Sequence, residues 1–146
     1  MYNIFKYSLL LFSTLVFAQK PLNKCFYFKF DDKNFKYIPY NPSNVIVIYS
    51  KKDKKIKSIS EGTVIKVGEL SKGTKIIIIK KNENLFVYSG INKISKKIRI
   101  GSNVIVGEFL GSLKKEEGYF KFDFQVFNDT NSITYKENIE CDVREK

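Results

Sequence analysis

Tyr119-Phe120-Lys121-Phe122-Asp123-Phe124-Gln125-Val126-Phe127 alternates with a period of two. Phe120, Phe122, Phe124 and Val126 fall on one side, and Tyr119, Lys121, Asp123, Gln125 and Phe127 on the other. Successive side chains of a strand point to opposite faces, so this run reads as a strand with a buried apolar face and a polar face turned outward. The same β-branched and aromatic enrichment recurs at Cys25–Phe30, Val45–Tyr49, Gly62–Val67, Thr74–Lys80, Asn84–Tyr88, Asn103–Leu110 and Ser132–Tyr135. Turn-formers separate the runs: Asn41-Pro42-Ser43-Asn44, Ser71-Lys72-Gly73, Lys81-Asn82-Glu83-Asn84 and Asn128-Asp129-Thr130-Asn131. No segment sustains a helical period. The pattern predicts an all-β chain, folded as a compact antiparallel β-sandwich or barrel.

The first 18 residues read differently. Met1–Tyr7 carries one positive charge, Lys6; Ser8–Phe17 is apolar; Val16 and Ala18 stand three and one residues before a cleavage point at Gln19. This is the order of a secretory signal peptide. The apolar run is too short for a spanning helix, which needs about 20 such residues, and Cys25 has no lipobox before it. The chain is therefore expected to be exported, to the periplasm or the extracellular space. Its membrane contact is expected only through the leader, before cleavage. The remainder divides into residues 19–44, strands packing on the core; 45–128, the β core; and 129–146, a C-terminal hairpin or tail.

Composition narrows the function. The chain holds 26 basic and 15 acidic residues, net charge +11, but its only arginines are Arg99 and Arg144. Bidentate phosphate and base contacts favour arginine. Together with export, this argues against a nucleic-acid partner and leaves anionic lipids, glycans or acidic proteins. Lysines cluster at Lys51-Lys52, Lys54-Lys55 and Lys96-Lys97, between strands, either as solvated edges or as a patch for an anionic surface. The two cysteines, Cys25 and Cys141, invite a disulfide in an oxidising compartment, with two separate thiols as the alternative. The chain has no histidine, which removes Ser/His and Cys/His nucleophilic pairs. Glu108 and Asp123 are among the carboxylates, but no spacing singles out a glycosidase-type pair.

Glycines recur at 101, 107 and 111 within Gly101-Ser102-Asn103-Val104-Ile105-Val106-Gly107-Glu108-Phe109-Leu110-Gly111. Gly62-Thr63-Val64, Ile77-Ile78-Ile79-Lys80-Lys81 and Tyr88-Ser89-Gly90-Ile91 precede that element, and Lys121-Phe122-Asp123-Phe124-Gln125-Val126 follows it. In order and spacing, Ile56 to Val126 resembles the core of the lysostaphin/LytM-type zinc endopeptidases, which cut peptidoglycan cross-bridges. The family pattern runs G-x-V, V-I-I-x-H, Y-A-H-L, G-D-x-V-x-x-G-Q-x-I-G and H-x-H-F-E-V. Ser102 stands where that pattern is acidic. Lipoyl and biotin carrier domains share similar turn glycines, but no Met-Lys-Met hairpin is present. The resemblance implies the LytM-like form of the barrel-sandwich hybrid, a duplicated hybrid motif.

It also implies where a zinc site would lie. The family's aspartate maps near Val47 and its first histidine near Ser43; the Y-A-H-L histidine maps to Gly90; the H-x-H pair maps to Lys121 and Asp123. A catalytic zinc needs three His, Asp, Glu or Cys ligands around an open position, and these positions offer one carboxylate. The resemblance therefore implies a catalytically inactive relative with no metal, no catalytic residue and no cofactor. Its old groove would be lined by Tyr88, Gly90, Lys121 and Asp123, and its partner would be peptidoglycan or an envelope protein. Two alternatives stand beside it: a structural accessory subunit of an envelope complex, and a residual endopeptidase with a non-standard site. Phe26, Tyr27, Phe28, Tyr37, Tyr40 and Phe127 are expected either to cover the sandwich or to dock a partner.

Overall fold

The computed structural model describes residues 20–28, 45–70, 73–128 and 139–145. The leader, Tyr37, Tyr40, Ser43 and the run Ser132–Tyr135 lie outside them. The described residues form twelve strands: β1 (Phe26–Phe28), β2 (Val45–Ser50), β3 (Lys55–Lys57), β4 (Gly62–Glu69), β5 (Lys75–Lys81), β6 (Asn84–Ile91), β7 (Lys93–Ile94), β8 (Asn103–Val104), β9 (Phe109–Ser112), β10 (Lys115–Glu116), β11 (Tyr119–Asn128) and β12 (Asp142–Arg144). No helix occurs among the described residues. The fold is the all-β, predominantly antiparallel architecture that the alternating runs predict.

Two sheets face each other. The larger runs β12-β1-β2-β11-β6-β5-β4-β8, with β10 added beside β11; the smaller runs β3-β9-β7. Between them sits one apolar core. Ile46, Ile48, Val64, Ile77, Ile79, Tyr88, Phe122, Phe124 and Val126 come from the large sheet, and Ile56 and Leu110 from the small one. Removing such side chains from water contributes about 1.5–3 kcal/mol each. Phe122, Phe124 and Val126 are buried while Asp123 and Phe127 are exposed, so the period-two reading of β11 is followed side chain by side chain.

Close approach of the small-sheet strands requires one particular glycine. A Cβ at Gly111 would collide with the carbonyl oxygen of Lys93 on β7. Glycine there lets β9 lie against β7 while Leu110, one residue earlier, fills the core.

The expected single strand Asn103–Leu110 is a correction. It is broken into β8 and β9 by a turn at residues 105–107. Gly107, with φ of 84°, turns its amide onto the Ser58 carbonyl at 2.7 Å, and Ser58 returns a hydrogen bond to the Glu108 carbonyl at 2.8 Å. The chain thus passes from the large sheet to the small one, which no straight strand can do.

The two ends of the described chain meet. β12 pairs with β1 in parallel, Phe26 opposite Asp142 and Phe28 opposite Arg144. Beside this pair Cys25 and Cys141 form a disulfide across a sequence separation of 116. β12 has three exposed residues and, among the described residues, no strand on its other side, so pairing alone holds it weakly. The covalent link removes the loop-closure entropy that this long-range contact would otherwise cost. Phe26 and Tyr27 are buried, covering the sandwich, whereas Phe127 is exposed.

Replacing both cysteines, Cys25→Ser/Cys141→Ser, is expected to lower unfolding stability by up to about 4–5 kcal/mol. Hydrogen exchange should show the amides of Asp142–Arg144 losing protection first. Unchanged stability and exchange would mean the bridge carries no structural role.

Candidate functional site

The candidate site is the outer face of the large sheet, away from the core. Register places its residues in rows. Val47 of β2, Asp123 of β11, Ser89 of β6 and Ile76 of β5 stand directly opposite one another across four strands. The next row is Val45, Gln125, Val87 and Ile78. On the other side, Lys121 is opposite Tyr49. Cross-strand neighbours have Cβ atoms about 4.5–5.5 Å apart, so Val47, Ser89 and Asp123 form one cluster.

Gly90 belongs to the same neighbourhood. Ile76 pairs with Ser89 and Lys75 with Ile91, which leaves Gly90 as the unpaired residue of a bulge. Its φ of 85° is a left-handed conformation that glycine adopts without strain. A Cβ there would sit 3.6 Å from Cα of Phe122 and 3.9 Å from the amide nitrogen of Asp123. The structure thus brings Val47, Gly90, Lys121 and Asp123 onto one patch of three adjacent strands.

Tyr88 is the correction. It does not line this face. Its side chain is 0 % exposed and points into the core, stacked on Phe122 and tilted against Phe124. The amide of Ile59 donates to its phenol oxygen at 3.1 Å. Burial pushes the phenol up from 10.0 to about 12, against the opposing hydrogen bonds of Ser58 and Ile59. It ties the loop after β3 to the large sheet. Alternation along β6 is shifted by the bulge at Gly90, so sequence position alone did not reveal which face Tyr88 occupies.

Asp123 is the one carboxylate of the patch. Its side chain is exposed, yet the apolar neighbours Val47 and Ile76 in its row limit hydration of the charge. Desolvation raises its pKa above the ordinary 3.8, and the positive charge of Lys121 works in the opposite direction. Lys121 itself pairs with Glu116 on β10 at 3.6 Å. Beyond Lys121 an aromatic group closes the face: Phe26 stacks on Tyr49, and Tyr119 meets both edge-on. Arg144 of β12 lies 3.7 Å above the Phe26 ring. None of these aromatic partners was legible in sequence, because strands far apart in the chain supply them.

The donor set does not fit zinc. Val47 and Gly90 offer no ligand atom and Lys121 presents an ammonium. Among the described residues, no three His, Cys, Asp or Glu side chains stand together as a metal site.

Solved structures resemble this fold. Helicobacter pylori Csd3 matches in two crystal forms, with TM-scores of 0.57 and 0.58, 20% identity and 84% of this chain covered. The aligned part is 34% and 33% of the two Csd3 chains, so this chain spans about a third of Csd3. A chain of the SpoIIQ–SpoIIIAH pore-forming complex matches with a TM-score of 0.60 and 14% identity, covering 84% of this chain and 90% of that one. No protein-family model and no curated protein matches the sequence. At these identities the likeness shows the fold, which is LytM-like.

Two outcomes check the chemistry of the face and of the core beneath it. Tyr88→Phe removes the acceptor for the buried Ile59 amide and is expected to cost about 1–3 kcal/mol; the wild-type phenol should stay protonated well past pH 10 in an ultraviolet titration, titrating near about 12. Asp123→Asn works through linkage. A carboxyl whose pKa is raised on folding binds its proton more tightly in the native state, so stability falls as pH rises through the interval above 3.8. The asparagine variant should therefore be slightly more stable than wild type at neutral pH, within ~0.5 kcal/mol. That gain should vanish in melts below the ordinary carboxylate range.

Proposed function

We propose that this chain is an exported, catalytically inactive LytM-like domain. It binds peptidoglycan, or regulates wall hydrolysis, through the outer face of β2, β11 and β6. One observation carries the reading. Of the positions to which the family's metal and proton-transfer residues map, Val47, Gly90, Lys121 and Asp123 lie on one patch, and Ser43 is outside the described residues. On this reading the family's ligand positions are taken over by apolar and singly charged groups. A hydrolase needs an activated water, and here no imidazole exists to accept its proton. What remains suits binding: apolar neighbours, one ammonium, one carboxylate and a basic net charge toward an anionic wall.

A second reading is favoured by one finding. The matched chain of the SpoIIQ–SpoIIIAH pore-forming complex is covered over 90% of its length. An accessory subunit of an envelope assembly would use the same fold to contact protein. A residual endopeptidase would need a ligand set beyond the residues of this patch.

Purified sacculi are expected to retain the protein at physiological salt, with Lys121→Glu retained less. Turbid wall suspensions should not clear, and added zinc should neither bind stoichiometrically nor shift the melting temperature. Passage through sacculi, together with specific cross-links to an envelope protein in native cells, would favour the accessory-subunit reading. Stoichiometric zinc with wall clearing would overturn both.

A further inference from the structure

The side of the sandwich opposite the candidate groove has a different character. There the outer face of β3-β9-β7 presents a row in which Lys55 and Lys93 flank Ser112. The next outward position pairs Lys57 with Phe109. Among the described residues none of these three lysines is in an ion pair; the ion pairs use Lys20, Lys75, Lys81 and Lys121.

Next to this row the chain turns at Ile105-Val106. Turn tips usually carry Gly, Asn, Asp or Ser. Here the tip is apolar and in solvent: Ile105 is 69 % exposed, Val106 39 % and Phe109 42 %. The tip is not loose. Gly107 and Glu108 are hydrogen-bonded to Ser58, one residue from Lys57, and the Ile105 amide donates to the Glu108 carboxylate at 2.9 Å. A rigid apolar tip beside a row of unpaired lysines is thus held in place by the core.

We propose that this face is a membrane-contact surface for anionic phospholipids. Ile105, Val106 and Phe109 enter the headgroup layer, while Lys55, Lys57 and Lys93 lie against the phosphates. Charge complementarity selects this occupant. Lysine side chains reach along apolar surface with the ammonium kept in the polar layer, and basic residues next to exposed apolar ones are what an anionic bilayer surface attracts. A soluble acidic polymer would use the lysines and leave the tip in water. Since the small sheet and the candidate groove are on opposite sides of the core, a domain held this way turns its groove away from the bilayer. The proposal does not depend on what that groove binds.

The test places an environment-sensitive fluorophore on the full chain at Ile105→Cys. A matching control is labelled at Glu69→Cys, the far end of β4 and about 20 Å along that strand from the β8 pairing. Vesicles of phosphatidylcholine with about one-third phosphatidylglycerol should shift the Ile105 probe to the blue and leave the Glu69 probe unchanged. Vesicles of phosphatidylcholine alone should not shift it. Lys55→Glu/Lys93→Glu, both at exposed positions, should raise the lipid needed for half the change by about tenfold or more. No blue shift at 105 on anionic vesicles would overturn the proposal. So would an equal shift at 69, an unchanged lipid requirement in the lysine variant, or the same shift caused by poly-glutamate without lipid.

Discussion

β11 is hydrogen-bonded on both sides, to β2 through Phe120–Gln125 and to β6 through Asp123–Asn128. Its ladder holds together the middle of the large sheet, and its strict alternation decides what each face of that sheet can be. Phe122, Phe124 and Val126 must enter the core together, because a one-residue slip would bury Lys121, Asp123 and Gln125 instead. The penalty for burying two charges and an amide fixes the register against both neighbours. Once it is fixed, Val47, Ser89 and Asp123 have no freedom to be elsewhere. The juxtaposition of these residues is therefore a by-product of core formation.

That dependence explains what could be read in the sequence. Period-two alternation from Tyr119 to Phe127 reports a local steric fact and needs no tertiary knowledge. The turn at Gly107 was harder. Its apolar surroundings look like strand, and only the Ser58 hydrogen bonds reveal that the chain changes sheets there. Tyr88 was placed on the wrong side for a related reason. The bulge at Gly90 shifts the count of faces, and a buried phenol with a distant amide donor, Ile59, leaves no local trace. The aromatic group of Phe26, Tyr49 and Tyr119 draws on three strands from opposite ends of the chain.

Charge is distributed with a logic of its own. On the groove side Lys121 is engaged by Glu116, and Asp123 sits in a partly apolar row that resists its ionisation. On the opposite side Lys55, Lys57 and Lys93 have no such partners among the described residues. One sandwich thus offers a face of mixed charge and a basic, apolar-tipped one. The disulfide of Cys25 and Cys141 packs with the core and secures β12, and with it Arg144 over the aromatic group. No helix among the described residues is long and apolar enough to cross a membrane, and the basic face contacts a bilayer from outside under the proposal made for it.

The central claim is that the outer face of β2, β11 and β6 binds wall fragments without cutting them. Amide spectra recorded while soluble peptidoglycan fragments are added test it most directly. The account predicts saturable shifts confined to Val47, Ser89, Gly90, Lys121 and their row neighbours, with every fragment recovered at its original mass. Shifts absent from those residues, or fragments shortened after incubation, would contradict it.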